Sequence, residues 1–428
     1  PMKMLFVSNL YGENARGGAE RIVGQEAEAL VAAGHDVVVV SGERKRDIPK
    51  GVCLPGEPWR CLPPGSPEEV AAAYAVAVKR TATAGKPRSV RYHPPNIYFY
   101  SDDRRHGYLS RLAWHFLDIF NGGSAQTFGR ILALERPDVV HTHNLMGLGF
   151  LIPALLRRRK VRHVHTVHDV QLLHPSGLLS PNGRVGAAER IPQAVYIALM
   201  RSLFGSPETV IFPSEFLRDE HVRRGFFRGS RIEVVRNPAP EVSLAARAVP
   251  SAPSFLFVGQ LERHKGIDLL LSAWSRWDDK GSATLEIAGD GTLAEELRRR
   301  VGTMDGVRLL GKLDHEAVLE ALARSAYLIF PSIVIENAPA AIMESLSRGT
   351  PVVAASVGGV PEIVIEGDTG FLFSPGDEAA CLAALRRAEA ALPEWNLFFE
   401  RCMKTAQEYS LAKHVERIVA LYAGNEAA

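Results

Sequence analysis

Residues 327–354 read YLIFPSIVIENAPAAIMESLSRGTPVVA and show one complete pattern of strand, helix and strand. The apolar runs 327–330 and 351–354 predict two buried strands. Between them, Pro339 suits the first position of a helix, and Gly349 suits the residue that follows its last turn. Strands that are joined through a helix pair in parallel, so this stretch predicts a parallel α/β sheet.

The same alternation occurs on both sides of this stretch. Further strands are predicted in the second half at 255–258, 284–288 and 307–310. Strands are predicted in the first half at 3–8, 36–40, 138–143, 161–168, 209–212 and 232–235. The alternation indicates an α/β fold in which each half is a Rossmann-like, doubly wound parallel sheet. Because such sheets bind ligands at the carboxyl ends of their strands, we expect the two domains to face a central cleft.

The length and the composition along the chain predict the domain boundaries. A chain of 428 residues is too long for one ordinary hydrophobic core. We predict Rossmann-like domains at 1–238 and 254–392, joined by a linker of low apolar content at 239–253. The Pro-rich segment at about 42–95 interrupts the alternation and is predicted to be an insertion. Residues 393–428 are predicted to be helices that pack across both domains.

The charge balance argues against a nucleic-acid partner. Fifty basic residues against 48 acidic residues leave a formal charge of +2, far below the dense positive surface that a phosphate backbone requires. The basic cluster at 157–162 follows an apolar run, and a solvated helix end is its first interpretation. The second interpretation is a peripheral contact with the inner face of an anionic membrane.

Cysteine usage and hydropathy favour a cytoplasmic protein. The four cysteines, Cys53, Cys61, Cys381 and Cys402, show no C-x-x-C spacing, so neither a zinc site nor a disulfide framework is expected. The apolar stretch at 4–7 is too short for a signal peptide, and no run approaches the roughly 20 apolar residues of a membrane span.

Two glutamates flank the predicted start of the helix after residue 339. Backbone N–H groups at that helix start are free to hold a phosphate. Glu336 precedes this position, and Glu344 lies about five residues into the helix, roughly 7 Å further along. Such carboxylates can accept hydrogen bonds from the hydroxyl groups of a nucleotide sugar, although an isolated pair of this spacing is more often simply solvated.

The residues around this pair strongly resemble the family 4 retaining glycosyltransferases of GT-B fold. The matching residues are Pro331-Ser332, Glu336, Glu344, the run 349–354, Gly358-Gly359 and Glu362. The resemblance covers nearly the entire chain. It implies that Glu344 binds the ribose and that Glu336 contacts the donor sugar. It also implies that the backbone at Asn337, Ala338, Pro339 and Ala340 binds the donor, and that Leu313 lies near the nucleotide base.

A second match runs from residue 257 to Lys265-Gly266. It implies that Lys265 engages the diphosphate, where a fixed positive charge stabilises the leaving group. The family usually has an arginine at the position of Gln260, and glutamine can donate hydrogen bonds but supplies no charge. We therefore assign the donor phosphates to Gln260 and Lys265, with the electrostatic role shifted to Lys265 and aided by Arg263.

The resemblance also assigns residues of the first domain, which is expected to bind the acceptor. Gly17 and Gly18 precede a helix and would let the backbone approach the donor phosphate. His168 is expected to act in catalysis by contacting the donor sugar or the leaving phosphate, and His143 is expected to face the acceptor. His141 and His143 form an H-x-H motif without a nearby third ligand, so no metal is expected.

These assignments predict a glycosyltransferase that moves a sugar from a nucleotide-sugar co-substrate to a glycan or lipid-linked glycan, with no other cofactor. The resemblance implies front-face transfer with retention of configuration. A nucleotide-sugar epimerase of the same architecture and a non-catalytic nucleotide-sugar-binding protein are the alternatives. A dinucleotide-dependent dehydrogenase fits less well, because no G-x-G-x-x-G follows the first strand.

Overall fold

The protein is described by a computed structural model over residues 1–12, 15, 17–44, 85–177, 190–242 and 247–424. Within these ranges, no helix has both the length and the apolar character needed to cross a membrane. Cys53 and Cys61 lie outside the described residues, as does most of the predicted insertion. Cys381 and Cys402 are buried free thiols.

The first parallel sheet has the strand order β3-β2-β1-β4-β5-β6-β7 within the described residues. Its strands are β1 Lys3–Ser8, β2 Asp36–Gly42, β3 Arg88–Tyr92, β4 Val139–Thr142, β5 His163–Thr166, β6 Thr209–Phe212 and β7 Arg231–Val234. Side chains alternate between its two faces, so that Leu5 and Val7 enter one buried cluster while Met4 and Phe6 enter another.

The second parallel sheet, within the described residues, has the order β10-β9-β8-β11-β12-β13. Its strands are β8 Ser254–Val258, β9 Thr284–Ala288, β10 Val307–Gly311, β11 Tyr327–Phe330, β12 Val352–Ala355 and β13 Gly370–Phe373. Its core combines aliphatic side chains with aromatic ones, including the fully buried Trp274, Trp277 and Trp395.

Helices cover both faces of each sheet. In the first half they are α1 Gly18–Ala32, α2 Tyr108–Ile119, α3 Gly122–Glu135, α4 Ile152–Arg158, α5 Arg190–Phe204 and α6 Glu215–Arg223. In the second half they are α7 Ile267–Ser275, α8 Ala294–Val301, α9 His315–Arg324, α10 Ala340–Ser347, α11 Glu378–Ala390, α12 Trp395–Glu408 and α13 Leu411–Tyr422. The predicted fold class, an α/β protein with two doubly wound parallel sheets, is confirmed.

The last two helices pack on different sheets. Trp395 of α12 belongs to the core of the second sheet, and its indole N–H donates to the carbonyl oxygen of Ala326 at 2.8 Å. Ile418 and Tyr422 of α13 belong instead to a cluster on the first sheet. The chain thus crosses back to the first domain after completing the second.

The predicted insertion needs a correction at its end. Residues 88–92 lie inside the predicted segment 42–95, yet they form β3, which pairs in parallel with β2 from Val38 to Gly42. Arg88 at this edge donates to Asp36 at 3.0 Å. The strand was not predicted because β3 contains charged residues that alternate with buried ones. Such a pattern is typical of a half-buried strand at the edge of a sheet.

The basic cluster at 157–162 makes intramolecular contacts. Arg157 donates to the carbonyl oxygen of Phe204 at 3.0 Å, at the end of α5. Arg159 donates to Gly129 O at 2.6 Å, and Arg162 donates to Glu208 at 2.8 Å. These contacts favour the interpretation as a helix end, and the membrane contact stays a prediction.

Candidate active site

The carboxyl ends of the two sheets face each other across a cleft, and predicted site residues from both halves meet there. Asn337, which follows β11, donates from Nδ2 to the carbonyl oxygen of His168, which follows β5, at 3.0 Å. A Cβ added to Gly18 at the start of α1 would lie 3.2 Å from Cβ of Ala340 at the start of α10. Glycine at this position therefore permits close approach of the two domains.

Lys265 and Glu336 form an ion pair on the second-domain side of the cleft. Lys265 Nζ lies 2.6 Å from Glu336 Oε1, and the hydroxyl of Ser332 donates to the same oxygen at 2.9 Å. The backbone oxygen of Glu336 accepts from the N–H of Gly359 at 2.8 Å. These contacts hold one carboxylate oxygen of Glu336 and orient the side chain for further hydrogen bonding.

Two glycines make this arrangement sterically feasible. Gly266, which follows Lys265, has φ of 75°, and a Cβ there would overlap the carbonyl oxygen of Pro331. Gly358 has φ of 55°, and a Cβ there would overlap the carbonyl oxygen of Glu336. Both backbones adopt the left-handed conformation that favours glycine.

Helix α10 begins one residue later than predicted. Pro339 is its N-cap, with φ of −63° and ψ of 124°, rather than its first helical residue. Proline suits the N-cap as well, because that backbone position donates no intrahelical hydrogen bond. No side chain caps this end of the helix, so its first amides are available to an anion.

Glu344 is buried and contacts the first domain. Its side chain is 5% exposed and forms an ion pair with Arg21 of α1. His315 of α9 also lies nearby, with Nδ1 at 3.6 Å from Glu344 Oε1. The predicted ribose ligand therefore lies where the two domains meet.

His143 lies behind His168. Their rings share a hydrogen bond of 2.9 Å between His143 Nδ1 and His168 Nε2, and His143 is only 1% exposed. Burial lowers the pKa of His168 to about 4 and holds the pKa of His143 well below its usual value, so both rings are neutral at physiological pH. An acceptor would meet His168 first, so the position of His143 does not support the predicted direct contact with the acceptor.

Asp169 is a cleft residue to which the sequence assigned no role. It follows His168 directly, and one of its carboxylate oxygens accepts from the N–H of Gln171 at 2.8 Å. Burial, together with a smaller effect of the nearby Glu20, raises the pKa of Asp169 to about 7. Glu20 itself accepts from the N–H of Gly17 at 2.9 Å and thereby fixes the start of α1.

The remaining predicted donor residues follow the carboxyl ends of strands in the second sheet. Gln260 is exposed just beyond β8. Leu313 packs against the second core and lies two residues before His315, which approaches Glu344. Arg263 turns away from the cleft, because it pairs with Asp268 at 3.5 Å and with Glu296 at 3.7 Å.

A carboxylate lies beside the H-x-H motif, contrary to the sequence-based expectation. Glu26, His141 and His143 each offer a ligand atom, and these atoms lie within 4.8 Å of one another. Existing hydrogen bonds use several of these atoms, since His141 bonds to Tyr422 at 2.5 Å and Glu26 bonds to His414 at 2.7 Å. The group could hold a metal ion only if some of these bonds broke, and the expectation of no metal stays a prediction.

Sequence reasoning missed the residues that join the domains. Arg21 and His315 contact Glu344, and the only signal for Arg21 was its place one helical turn after Gly18. Glu362, which was quoted only for the resemblance, accepts from the N–H of Phe216 at 2.7 Å and pairs with Arg236. Glu362 therefore ties the second domain to the start of α6.

Comparisons with known proteins agree with this architecture. The family described as Glycosyltransferase Family 4 matches residues 16–240, and the family described as Glycosyl transferases group 1 matches residues 252–390. A glycogen synthase of Mycobacterium tuberculosis is 31% identical, and the alignment covers 97% of this chain and 96% of that protein. A 42.6 kDa protein in the cps region of Klebsiella pneumoniae is 24% identical, with 85% and 87% covered.

Solved structures share the same fold. Sucrose-phosphate synthase from Thermosynechococcus elongatus superposes with a TM-score of 0.70 at 18% identity, covering 99% of each chain. Anabaena HepE in complex with UDP-glucose gives a TM-score of 0.67 at 15% identity, covering 99% of this chain and 100% of that one. The two parallel sheets and the matched families together confirm the GT-B prediction. The chain belongs to glycosyltransferase family 4 and is a glycosyltransferase of GT-B fold.

Proposed function

We propose that this glycosyltransferase moves a sugar from a nucleotide-sugar donor to a glycan or lipid-linked glycan acceptor, by front-face transfer with retention of configuration. The observation that carries the proposal is the meeting of Lys265, Glu336, the start of α10 and the backbone of His168 in one cleft. This arrangement offers a binding group to each part of a nucleotide sugar.

The donor diphosphate would lie at the start of α10, where uncapped amides and the helix dipole favour an anion. Lys265 would stabilise the negative charge that grows on the diphosphate as the sugar leaves. Glu336, held by Lys265 and Ser332 through one oxygen, would accept hydrogen bonds from sugar hydroxyls. Glu344 would accept hydrogen bonds from the ribose.

The pairing of Glu336 favours front-face transfer over a double displacement. A carboxylate nucleophile must reach the anomeric carbon from the side opposite the leaving group. Glu336 instead lies within 2.6 Å of the cation assigned to the leaving group, Lys265. In front-face transfer the acceptor hydroxyl attacks from the side on which the diphosphate leaves, the new glycosidic bond forms as the old one breaks, and the leaving phosphate takes the hydroxyl proton.

The neutral His168 suits this mechanism. Because burial lowers its pKa to about 4, its ring offers a neutral hydrogen bond rather than a second positive charge. Rate enhancement would then come mainly from positioning and from electrostatic stabilisation in a cleft that excludes water when the domains close. No metal or organic cofactor has a part in the proposed steps.

The relatives suggest which donors to test first. The related M. tuberculosis protein is a glycogen synthase, and the structurally similar HepE was solved with UDP-glucose. We therefore propose glucosyl nucleotides as the first donors, and α-glucans and lipid-linked oligosaccharides as the first acceptors.

The decisive experiment measures binding and then transfer. Purified protein is titrated with UDP-, ADP- and GDP-linked sugars, and each donor that binds is incubated with candidate acceptors. NMR of the product gives the anomeric configuration of the new bond. Retention supports the proposal, and inversion would contradict it. Donor binding without transfer would favour a non-catalytic nucleotide-sugar-binding protein, and epimerised free donor would favour an epimerase.

A further inference from the structure

Arg21 brings a positive charge from the first domain into the nucleotide-sugar site of the second. Its guanidinium pairs with Glu344 of α10, and its Nη1 lies 3.1 Å from Nδ1 of His315. Glu344 is 5% exposed in this pair, whereas the Arg21 side chain is 35% exposed. Part of the arginine is thus enclosed by its contacts with the second domain, and about a third of its side chain remains open to solvent.

The second domain supplies little positive charge at the position assigned to the donor phosphates. Gln260 occupies that position and is neutral. Arg263 points toward Asp268 and Glu296 and is 73% exposed. In the described segment 260–266, Lys265 is the basic side chain that forms an ion pair with Glu336. A diphosphate leaving group, which carries more than one negative charge, therefore meets a single cation from this segment.

The geometry of α1 and α10 directs Arg21 to the same region. Gly18 and Ala340 lie against each other at the starts of the two helices. Arg21 is three residues beyond Gly18, and Glu344 is four residues beyond Ala340. At 1.5 Å per residue, the two side chains originate about 4.5 Å and about 6 Å along their helices from that contact. The Arg21–Glu344 ion pair therefore lies about one helical turn beyond the start of α10.

We propose that Arg21 is a donor-binding cation that binds the diphosphate and replaces the charge that Gln260 lacks. The inference rests on the proposed nucleotide-sugar donor. Without donor, Glu344 holds the guanidinium; when nucleotide binds, the ribose hydroxyls donate to Glu344 and the guanidinium turns to the phosphates. Bidentate hydrogen bonding to phosphate is a property of arginine that glutamine cannot reproduce.

This assignment links domain closure to chemistry. Lys265 belongs to the second domain and Arg21 to the first, so the two cations surround the diphosphate only when the cleft is closed. In the open state the leaving group would be stabilised by Lys265 alone. Transfer would then be confined to the closed state, in which water is excluded and hydrolysis of the donor is suppressed.

The test compares nucleoside diphosphates with nucleoside monophosphates. Calorimetric titration with UDP, UMP, ADP and AMP is carried out on the wild-type protein, on Arg21→Gln and on the control Arg130→Gln, whose arginine is exposed on α3. Arg21→Gln is expected to weaken diphosphate binding by about tenfold or more, because a charge-assisted hydrogen bond is lost. Binding of the matching monophosphate should change much less, and the control should match wild type.

A second variant tests the relation to Gln260. If Arg21 supplies the missing charge, the double substitution Arg21→Gln/Gln260→Arg should recover most of the diphosphate affinity. Unchanged or tighter UDP and ADP binding by Arg21→Gln would overturn the inference, and so would an equal loss for monophosphates and diphosphates. Wild-type protein that binds no nucleoside diphosphate would overturn the proposed function itself, which distinguishes the two failures.

Discussion

Substitution of Lys265 is expected to lower the turnover number kcat, whereas substitution of Glu344 is expected to raise the donor dissociation constant Kd. Lys265→Ala removes the cation proposed to stabilise the leaving group and should lower kcat about 100- to 1,000-fold. Glu344→Ala removes the carboxylate proposed to accept hydrogen bonds from the ribose and should raise the donor Kd about tenfold. Steady-state kinetics and calorimetry separate the two effects. Glu316→Ala on α9 serves as an exposed control, and unchanged values in both variants would contradict the site assignment.

The sequence predicted the side chains at strand ends better than it predicted their partners. Glu336 and Lys265 were both assigned from motif positions, and the structure joins them at 2.6 Å. By contrast, Arg21 and His315 are 294 residues apart in sequence and meet only because two domains face each other. No local pattern encodes such a contact. The burial of His143 beside His168 was not predictable for a related reason, since it depends on how neighbouring strands pack, and its role toward the acceptor stays a prediction.

Substitution of Gly266, in the turn after Lys265, is expected to reduce stability more than substitution of Gly367. Gly266 and Gly367 have nearly equal φ values of 75° and 72°, but only Gly266 has an atom in the path of an added Cβ. Gly367→Ala should therefore cost about 1 kcal/mol, from backbone strain alone. Gly266→Ala should cost clearly more and should also reduce turnover, because Lys265 moves with the turn. Thermal unfolding and activity assays measure the two effects, and equal losses of stability in both variants would contradict this explanation.

Secondary-structure elements were predictable where the pattern was apolar and regular. Strands β1, β6 and β11 have the bounds that the sequence predicted. The sequence did not indicate β13, whose first residue is glycine, a poor strand former that is required here because a Cβ would overlap the carbonyl oxygen of Val352. It also did not indicate β3, where arginines alternate with apolar residues. Both strands lie at sheet edges, where fewer neighbours impose a hydrophobic sequence.

The whole molecule is stabilised by a helix that follows the second domain in sequence but packs on the first domain. Ile418 of α13 is 1% exposed in the cluster that includes Met4 and Phe6 of β1. Ile418→Ala should therefore destabilise the first domain by about 2–5 kcal/mol. Hydrogen exchange should speed up in β1 and β4 more than in β8 and β11. Lys413→Ala, an exposed control on the same helix, should leave exchange unchanged, and an effect of Ile418→Ala confined to α13 would contradict the prediction.

The return of α13 to the first sheet has a consequence for biosynthesis. Ribosomes make the first domain before the second, and domains generally begin to fold as they emerge. The face of the first sheet that α13 covers must remain uncovered until α13 is translated, because Val415, Ile418, Leu421 and Tyr422 follow the second domain in sequence. The nascent chain therefore carries an apolar surface throughout synthesis of the second domain. Chaperones that act during translation are expected to bind this surface, and a prematurely terminated chain would keep it exposed and would tend to aggregate.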